Sequence, residues 1–288
     1  DTTSESDLKK YEVDKIRLIW STGYDEYDIT NMDFFINDAF GAIHRSHASV
    51  DGITKFFTKP LGGLLLKKEL AAFDGITKPK KPMLALIGGS KVSTKILALQ
   101  QLLKKVDTIA IGGAMAYTFL KALGENVGKS LVEEDKISVA EALLKRARDV
   151  GVKILLPKDH VVVTDIESKA GLKTISSGGF SASDIGVDIG PKTIELYAEE
   201  IESAKTIFCN GPMGMYETPE FARGTEALME AIAKSDAFSL VGGGDSIAAL
   251  NRVGLKKDIG FVSSGGGAGL ELLEGKKLPG LMALGHYN

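Results

Sequence analysis

Short apolar runs alternate with helical patterns from about residue 80 to the end of the chain. The runs that indicate strands cover residues 83–87, 108–111, 153–156, 206–209, 238–241 and 261–263. The patterns with helical periodicity cover residues 92–104, 114–123, 136–149, 192–203, 225–233 and 246–253. Because strands that alternate with helices build a parallel sheet covered on both faces, we predict an α/β fold. Its central element is expected to be a Rossmann-like, doubly wound parallel sheet.

Four glycine-rich turns stand where a predicted strand passes into a predicted helix. Their glycines are Gly88 and Gly89, then Gly112 and Gly113, then Gly242, Gly243 and Gly244, and finally Gly265, Gly266 and Gly267. Because glycine lacks a Cβ, backbone N–H groups in such turns can approach an anion closely, and the following helix start adds a positive dipole end. Ligands of doubly wound sheets bind at the carboxyl ends of the strands, where these turns fall. With Lys91 in the first turn and Asp245 in the third, they predict a site for a polyphosphate and its metal ion.

The first 75 residues carry fewer structural signals than the rest of the chain. Residues 34–36 indicate a strand and residues 61–73 indicate a helix, which are too few elements to cover a core. Pro79 and Pro82 mark a boundary after this region. We therefore predict a partial N-terminal α/β domain over residues 1–75, followed by a larger domain.

The composition narrows the classes of function. A net charge of −3 over 288 residues provides no general basic field for nucleic acid, so an anionic substrate requires a local basic patch. The single cysteine, Cys209, excludes an internal disulfide and a multi-cysteine zinc site. No apolar run reaches the roughly 18–20 residues of a membrane helix, and no signal peptide is visible. These features favour a cytoplasmic protein without a nucleic-acid or membrane partner.

Two other motifs point to different chemistry, and neither is adopted. The segment from Gly124 to Ser130 resembles a Walker A loop, but it is one residue short and follows a predicted helix, so a surface loop is favoured. His44 and His47 suggest metal ligands, but no cysteine stands near them and they do not form a helical i,i+4 pair.

Seven segments resemble motifs of the phosphoglycerate kinase family, in the order in which that family carries them. The segment NDAFGAIHRSHAS at residues 37–49 is similar to the family's NDAFGxxHRxHxS motif. The others are GGSKVSTK at 88–95, GGAMAYTF at 112–119, DIGP at 188–191, NGPMGMYE at 210–217, GGGDS at 242–246 and SGGG at 264–267. The resemblance runs from about residue 32 to residue 284.

The resemblance implies an enzyme of glycolysis and gluconeogenesis that transfers a phosphoryl group reversibly between ATP and 3-phosphoglycerate. In that family the reaction takes place across a cleft between two domains and uses Mg²⁺ with ATP or ADP. The resemblance implies a nucleotide-binding domain over residues 76–277, with an interdomain helix at about residues 61–73. Residues 278–288 would form a C-terminal segment that returns toward the N-terminal part.

Lys91 and Lys95 stand four residues apart at the start of a predicted helix, so both side chains are expected on the same face. The pair is either a solvated helix face or a phosphate site. Directly after two glycines at a strand end, phosphate binding is the favoured interpretation. The resemblance implies that Lys91 accompanies the transferred phosphoryl group and that Lys95 holds the nucleotide phosphates.

Asp245 has two candidate roles, which are not exclusive. It follows three glycines at a predicted helix start, where a carboxylate can act as an N-cap. The resemblance implies instead that it binds the Mg²⁺ of the nucleotide, and a carboxylate suits this hard cation. The resemblance also implies that N–H groups of the catalytic glycines stabilise the charge that develops during transfer, a tight turn being the alternative. These glycines are Gly244, Gly265, Gly266 and Gly267.

The remaining nucleotide contacts are also implied by the resemblance. Glu217 would bind the ribose hydroxyls and Asn210 the phosphates, unless each is only a turn residue. Four further positions would shape the adenosine pocket, namely Gly112, Gly113, Gly190 and Pro191. The implied nucleotide-binding set is completed by Gly88, Gly89, Gly242, Gly243 and Ser246.

On the substrate side, the resemblance carries over Arg45, with His44 beside it. The family's Arg-Asp-Asn motif and its Ser-His-Leu-Gly-Arg-Pro loop have no counterpart here, and Arg17 is the only arginine before His44. Most of the basic patch that binds 3-phosphoglycerate is therefore missing from these residues. We expect poor turnover of 3-phosphoglycerate by these 288 residues alone.

Three classes of function stay open on the sequence. The first is a phosphoglycerate kinase-like phosphotransferase, the second a nucleotide-binding relative without turnover, and the third a structural or interaction protein that keeps the fold. Because few elements cover the front region, apolar surface is expected to be exposed near Phe34, Phe35 and residues 61–66. A complementing chain that covers this surface is a candidate partner.

Overall fold

The computed structural model describes residues 17–19, 26–28 and 33–287, the first two of these ranges by their backbone alone. The strands are β1 (Arg17–Ile19), β2 (Glu26–Asp28), β3 (Ile36–Asn37), β4 (Leu61–Gly62), β5 (Met83–Ile87), β6 (Thr108–Ile111), β7 (Lys153–Leu155), β8 (Asp159–Val163), β9 (Lys173–Ser176), β10 (Ile185–Ile189), β11 (Thr206–Asn210), β12 (Phe238–Gly242) and β13 (Phe261–Val262). The α-helices are α1 (Leu64–Thr77), α2 (Ile96–Leu102), α3 (Met115–Ala122), α4 (Ile137–Asp149), α5 (Pro191–Ser203), α6 (Arg223–Lys234), α7 (Gly244–Arg252), α8 (Gly266–Leu273) and α9 (Pro279–Ala283).

The central feature is a six-stranded parallel sheet in the order β13–β12–β11–β5–β6–β7. The chain moves outward from β5 through β6 to β7, then returns to the other side of β5 and continues through β11 and β12 to β13. The strand order therefore reverses between β5 and β11, which is a topological switch point. This confirms the predicted α/β fold with a doubly wound parallel sheet.

Every residue of β5, β6 and β11 is buried, which explains why these strands are almost continuous apolar runs. Helices supply the second layer of the core. Tyr197 of α5 is fully buried, and its hydroxyl donates a 2.7 Å hydrogen bond to the carbonyl oxygen of Ile111. A large aromatic side chain thus fills the core without leaving a polar group unpaired.

A second sheet, antiparallel and three-stranded, has the order β10–β8–β9. The sequence reading predicted no strand between residues 157 and 191 and was wrong there. The signals are weak because β9 is mostly exposed and β8 begins with two buried polar residues, Asp159 and His160. Strand β10 contains Gly186, and its register with β8 shifts between Gly186 and Asp188. Neither alternation nor a long apolar run marks such strands.

The described chain separates into two compact units. The first combines residues 1–71, of which 1–16, 20–25 and 29–32 lie outside the described residues, with residues 267–288. The second contains residues 72–266 and therefore the six-stranded sheet. The predicted domain limits at residues 75 and 277, and the roles of those domains, stay predictions.

In the first unit, β3 and β4 pair in parallel, and the Asp38 carboxylate caps the helix that follows. Its Oδ1 accepts a 2.7 Å hydrogen bond from the Leu66 N–H. Helix α1 accordingly begins at Leu64 rather than at residue 61. The end of the chain packs on the same unit, since the Gly280 N–H donates to the Ile43 carbonyl at 2.9 Å.

The expected apolar surface is present in this unit, but it is smaller than predicted. Phe34 is 72% exposed and Leu64 is 77% exposed. Phe35 is only half-buried, whereas Leu66, which was expected to be exposed, is buried with 2% exposure. Separately, none of the described helices is long and apolar enough to cross a membrane.

Candidate functional site

The turns after β5, β6 and β11 are bonded to one another at the switch point. The Gly88 N–H donates to the Asn210 carbonyl at 3.0 Å, and the Gly89 N–H donates to the Pro212 carbonyl at 2.9 Å. A Cβ on Gly88 would lie 2.0 Å from the Pro212 oxygen, so no other residue fits without a shift of the backbone. These two N–H groups are therefore hydrogen-bonded inside the protein, where they serve close backbone packing. The assignment of Gly88 and Gly89 to nucleotide binding stays a prediction.

The turn after β6 belongs to the same arrangement. The Gly112 N–H donates to the Ile87 carbonyl at 3.0 Å, and the Gly113 N–H donates to the Met213 carbonyl at 2.8 Å. Gly113 has a φ of +68°, and a Cβ there would lie 2.5 Å from the Gly89 oxygen. The glycines hold three strand ends together at one edge of the sheet.

Lys95 and Asn210 lie at the centre of this edge. Asn210 ends β11 and is buried, and its Oδ1 accepts a hydrogen bond from Lys95 Nζ. Its Nδ2 donates to the Gly242 carbonyl, the last of β12, at 3.0 Å. Burial lowers the pKa of Lys95, and the charge of the nearby Asp245 carboxylate opposes this effect. An ammonium group is thus fixed at the switch point, close enough to Asp245 for the two charges to interact.

Lys91 lies in the loop that precedes helix α2, which begins at Ile96 and not at residue 92. Thr94 donates through its hydroxyl to the Lys91 carbonyl at 2.9 Å, and Ser93 bonds to the Glu133 carboxylate through both its N–H and its hydroxyl. These polar side chains hold the segment in turns instead of a helix. Lys91 and Lys95 therefore do not share a helix face as predicted, and the Lys91 side chain is exposed.

The turn after β12 frees the Asp245 carboxylate. Gly243, with a φ of +95°, is the N-cap of α7, so the N-cap role considered for Asp245 is wrong. Asp245 stands in the first turn of α7, where it is exposed, and within residues 33–287 its carboxylate makes no hydrogen bond or ion pair. The neighbouring Ser246 is buried, and its hydroxyl accepts a 2.7 Å hydrogen bond from the Gly211 N–H.

A cavity of about 640 Å³ opens beside these turns, a size typical of small-ligand pockets. Its polar lining includes Ser90, Lys129, Glu217, Thr218 and Asp245. Its apolar lining includes Tyr117, Leu131, Ile166, Ile185, Val187, Pro212, Met213 and Met215. The cavity thus joins an apolar chamber to the carboxylate of Asp245 and to the predicted ribose contact Glu217.

Tyr117 and Gly186 line this cavity and were not assigned from the sequence. Tyr117 is buried and packs edge-on against Phe180, with 5.8 Å between the ring centroids. A Cβ on Gly186 would lie 1.8 Å from the Tyr117 hydroxyl oxygen, so this position of β10 requires glycine. The family-like GGAMAYTF segment contains Tyr117, but nothing in the sequence shows which of its residues reach the chamber.

Asp188 is a third residue of the cavity wall that was not assigned a role from the sequence. It is buried, and its carboxylate accepts hydrogen bonds from the Gly224 N–H at 2.6 Å and the Ile189 N–H at 2.9 Å. Burial raises the pKa of Asp188 to about 7, although these two hydrogen bonds act in the opposite direction. Asp188 ties the start of α6 to β10 and thereby shapes the wall.

Gly190 and Pro191, predicted at the adenosine pocket, stand at the start of α5 and are not among the residues that line the cavity. The Asp159 carboxylate caps this helix by accepting the Lys192 and Thr193 N–H groups at 3.0 and 2.8 Å. A Cβ on Gly190 would lie 2.3 Å from the Asp159 carboxyl carbon. Their part in nucleotide binding stays a prediction.

The Walker-like segment is a loop that follows helix α3, as expected. Gly128 has a φ of +60°, and the Lys129 N–H donates to the Asp184 carbonyl at 2.7 Å. Lys129 nevertheless lines the cavity with its exposed side chain, which the sequence reading did not foresee.

The residues implied for phosphoglycerate binding lie in the first unit, whereas Gly265 and Gly266 of the last glycine turn lie in the second. In the first unit, Arg45 is exposed and His44 lies with Nδ1 2.7 Å from Oε1 of Glu271. In the second, the Gly265 N–H donates to the Ser263 hydroxyl at 3.0 Å, and Gly266 has a φ of +41° as α8 begins. Arg17 lies in β1, where only the backbone is described.

A doubly wound parallel sheet with a lysine, a free carboxylate and an apolar cavity at its switch point defines the class of nucleotide-binding α/β proteins. The model of the family described as phosphoglycerate kinase matches residues 26–276. The chain therefore belongs to the phosphoglycerate kinase family.

Named relatives agree with this assignment. The phosphoglycerate kinase of Acidobacterium capsulatum is 51% identical over 255 residues, which are 88% of this chain and 63% of the relative. That of Finegoldia magna is 44% identical over 284 residues, which are 95% of this chain and 72% of the relative. The solved phosphoglycerate kinase from Coxiella burnetii is 41% identical, with a TM-score of 0.84 over 88% of this chain and 66% of that chain.

The chain spans less than two thirds of the length of most of the relatives compared, the Acidobacterium capsulatum enzyme included. These comparisons do not favour the alternative of a structural or interaction protein. They also give no support to a complementing chain.

Proposed function

We propose that this chain carries the nucleotide-binding part of a phosphotransferase that moves a phosphoryl group reversibly between ATP and 3-phosphoglycerate. The observation that carries the proposal is the Lys95–Asn210 pair at the switch point, within electrostatic reach of the free Asp245 carboxylate beside the 640 Å³ cavity. The reaction and its location in the cytoplasm are inferred from membership of the phosphoglycerate kinase family.

The distribution of apolar and charged residues at this edge of the sheet favours one orientation of a bound nucleotide. The apolar chamber around Tyr117 and Met213 would receive the adenine, and Glu217 at the cavity lining would bind the ribose. The phosphates would then extend toward Asp245 and Lys95. Because Lys95 is held by Asn210, its charge is preorganised and needs no reorientation when phosphate arrives.

Asp245 is suited to bind Mg²⁺, provided that the phosphates of the nucleotide supply further ligands to the same ion. Among the described residues, no group of three or more His, Cys, Asp or Glu side chains could hold a metal ion by itself. Mg²⁺ commonly binds through one or two carboxylates together with substrate phosphates and water. Asp245 would provide that carboxylate, and the bound ion would neutralise charge on the phosphates.

Phosphoryl transfer depends on position and charge more than on covalent help from the protein. Lys91, which is exposed in its loop, can follow the moving group, whereas Lys95 is fixed. The first backbone N–H groups of α7 and α8 have no partner within their own helix, and the glycines at these starts are Gly244, Gly266 and Gly267. Gly265 stands just before α8, and its N–H would have to leave the Ser263 hydroxyl to reach a phosphate. Arg45 and His44 would bind the phosphoglycerate.

A coupled assay of ADP formation tests this function. The assay is run on the chain itself and on a chimera in which the second unit, residues 72–266, replaces the matching part of the Finegoldia magna enzyme. We expect the chimera to form ADP only when 3-phosphoglycerate is present, and the chain alone to be slow. A folded chimera that binds Mg·ATP without any 3-phosphoglycerate-dependent ADP would refute the transfer and leave a nucleotide-binding protein.

A further inference from the structure

The His44 side chain packs against one face of helix α8, at a contact site formed by Gly267 and Glu271. Its Nδ1 is 2.7 Å from Oε1 of Glu271, although the two residues are 227 positions apart in the chain. Its ring also lies against Gly267, where a Cβ would be 3.2 Å from Cε1 and 3.8 Å from Nε2. Gly267 and Glu271 are four residues apart on α8, so they lie on the same face of that helix. The imidazole is thus in contact with α8 through both its edge and one nitrogen.

Gly267 and Glu271 have separate physical effects on the imidazole ring. The missing side chain at Gly267 leaves room for the ring, because a Cβ at 3.2 Å would require the ring to move by a few tenths of an ångström. The Glu271 carboxylate accepts a hydrogen bond, so the proton of a neutral imidazole belongs on Nδ1. Among the described residues, no hydrogen bond is made by the other nitrogen, Nε2, and 11% of the His44 side-chain surface is exposed.

Glu271 is itself held in place by a second partner. Its Oε2 lies 3.5 Å from Lys276 Nζ, and Lys276 also lies 2.8 Å from Glu274. Burial raises the pKa of Glu271, but the hydrogen bond from His44 and the charge of Lys276 outweigh that effect, and the pKa is lowered. The carboxylate is therefore ionised and oriented over the neutral pH range.

We propose that Glu271 is a positioning residue that fixes the orientation and tautomer of His44, so that Nε2 is presented to the anionic phosphoglycerate substrate. This inference rests on the proposed function, because the substrate role of His44 does. It adds a residue outside all the family-like segments that carried the resemblance. With its Nδ1–H donated to Glu271, a doubly protonated His44 would donate from Nε2 to a carboxylate or phosphate oxygen of the substrate.

Nitrogen-15 NMR of the imidazole rings tests the inference on the full chain, which contains only four histidines. In the wild type we expect His44 to carry its proton on Nδ1 when neutral. Glu271→Ala should shift His44 toward the Nε2–H tautomer, whereas Glu271→Gln, whose side-chain oxygen still accepts, should keep it. Glu141→Ala is the matched control, because it removes a carboxylate from an exposed position of α4 and contacts neither His44 nor Glu271.

The substrate arm follows the His44 signals during titration with millimolar 3-phosphoglycerate. We expect the apparent affinity to fall on the order of tenfold in Glu271→Ala, as for loss of a hydrogen bond to a charged group, and to stay unchanged in Glu141→Ala. An unchanged tautomer in Glu271→Ala, or an Nε2–H tautomer in the wild type, would overturn the positioning role while the proposed function survives. No His44 response in a wild type that binds Mg·ADP would overturn it together with the substrate role of His44, and would leave the nucleotide site standing.

Discussion

The ammonium group of Lys95 donates a hydrogen bond to the side-chain oxygen of Asn210, across the point at which the strand order of the sheet reverses. Asn210 also bonds to the neighbouring strand, because its amide nitrogen donates to the Gly242 carbonyl at 3.0 Å. One buried side chain thus joins the helix start after β5 to the ends of β11 and β12. Placement of the lysine charge and integrity of the sheet edge depend on the same residue.

Asn210→Ala should therefore affect both stability and nucleotide binding. The substitution leaves the Gly242 carbonyl and the Lys95 ammonium without their partner, and an unsatisfied buried polar group costs about 1–3 kcal/mol. Urea unfolding should show a loss in this range, and Mg·ADP should bind more weakly. Asn251→Ala, at an exposed position of α7, is the control and should change neither quantity. Equal stabilities of the Asn210 variant and the wild type would contradict the connecting role.

Lys91→Ala should separate catalysis from binding. Lys91 is exposed in a loop and can follow a moving phosphoryl group, whereas Lys95 is fixed by Asn210. In the chimera, turnover should fall on the order of 10²-fold or more, as for other charge donors of a transition state. Calorimetric affinity for Mg·ADP should change little, and Lys145→Ala, on an exposed face of α4, should change neither. Equal losses in turnover and affinity would make Lys91 a simple anchor.

Leu64 and Leu66 form a matched pair at the start of α1. Leu64 is 77% exposed and Leu66 is 2% exposed. Leu66→Ala should lower the free energy of unfolding by about 2–5 kcal/mol, because it removes buried methyl groups and leaves a cavity. Leu64→Ala should stay within about 0.5 kcal/mol of the wild type, as exposed substitutions usually do. Urea unfolding of both variants distinguishes them, and a similar loss in each would show that the exposed face of α1 is covered in solution.

Asp188→Asn should alter the pH dependence of stability. Burial raises the pKa of Asp188 from 3.8 to about 7. The folded state therefore favours the protonated carboxyl, so its contribution to stability is fully present below pH 3.8 and is lost as the pH rises through 7. The Asn variant cannot ionise, so the stability of the wild type relative to the variant should decrease between these pH values.

The size of this decrease is limited to the order of 4 kcal/mol by the shift in pKa. Glu226 and Tyr117 are the ionisable groups that interact with Asp188, and both are unchanged in the variant. Denaturant unfolding of both proteins at several pH values measures the difference, with Asp149→Asn at the exposed end of α4 as the control. A wild-type advantage that grows with pH would show that the hydrogen bonds from Gly224 and Ile189 outweigh burial.

The central sheet could be predicted because its strands are buried on both faces. Strands β5 and β6 have the predicted bounds, 83–87 and 108–111, since their apolar runs end at paired glycines. The antiparallel sheet could not be predicted, because β9 is largely exposed and β8 buries Asp159 and His160. Burial of those polar residues depends on partners far along the chain, such as Thr193 for Asp159.

The candidate site was predictable in its residues more than in its geometry. Asn210, Lys95 and Asp245 were named from motifs, and the structure brings them to one edge. Three features of the site depend on contacts between turns that are distant in the chain. They are the hydrogen bonds of the glycine N–H groups, the exposure of the Asp245 carboxylate and the position of Asp188 in the cavity wall. Local sequence carries no signal for such contacts.

Calorimetric titration of the chain with Mg·ADP tests the central claim most directly. The claim is that the switch-point edge, with Lys95, Asn210 and Asp245, binds the phosphates of a nucleotide through a shared Mg²⁺. We predict saturable binding by the wild type, clearly weaker binding by Asp245→Ala, and wild-type binding by Asp149→Ala, which removes an exposed carboxylate from the end of α4. For the wild type, omission of Mg²⁺ should weaken binding, whereas for Asp245→Ala it should have little further effect. A folded wild type that shows no saturable heat, or an Asp245→Ala variant that binds Mg·ADP as tightly as the wild type, would contradict the claim.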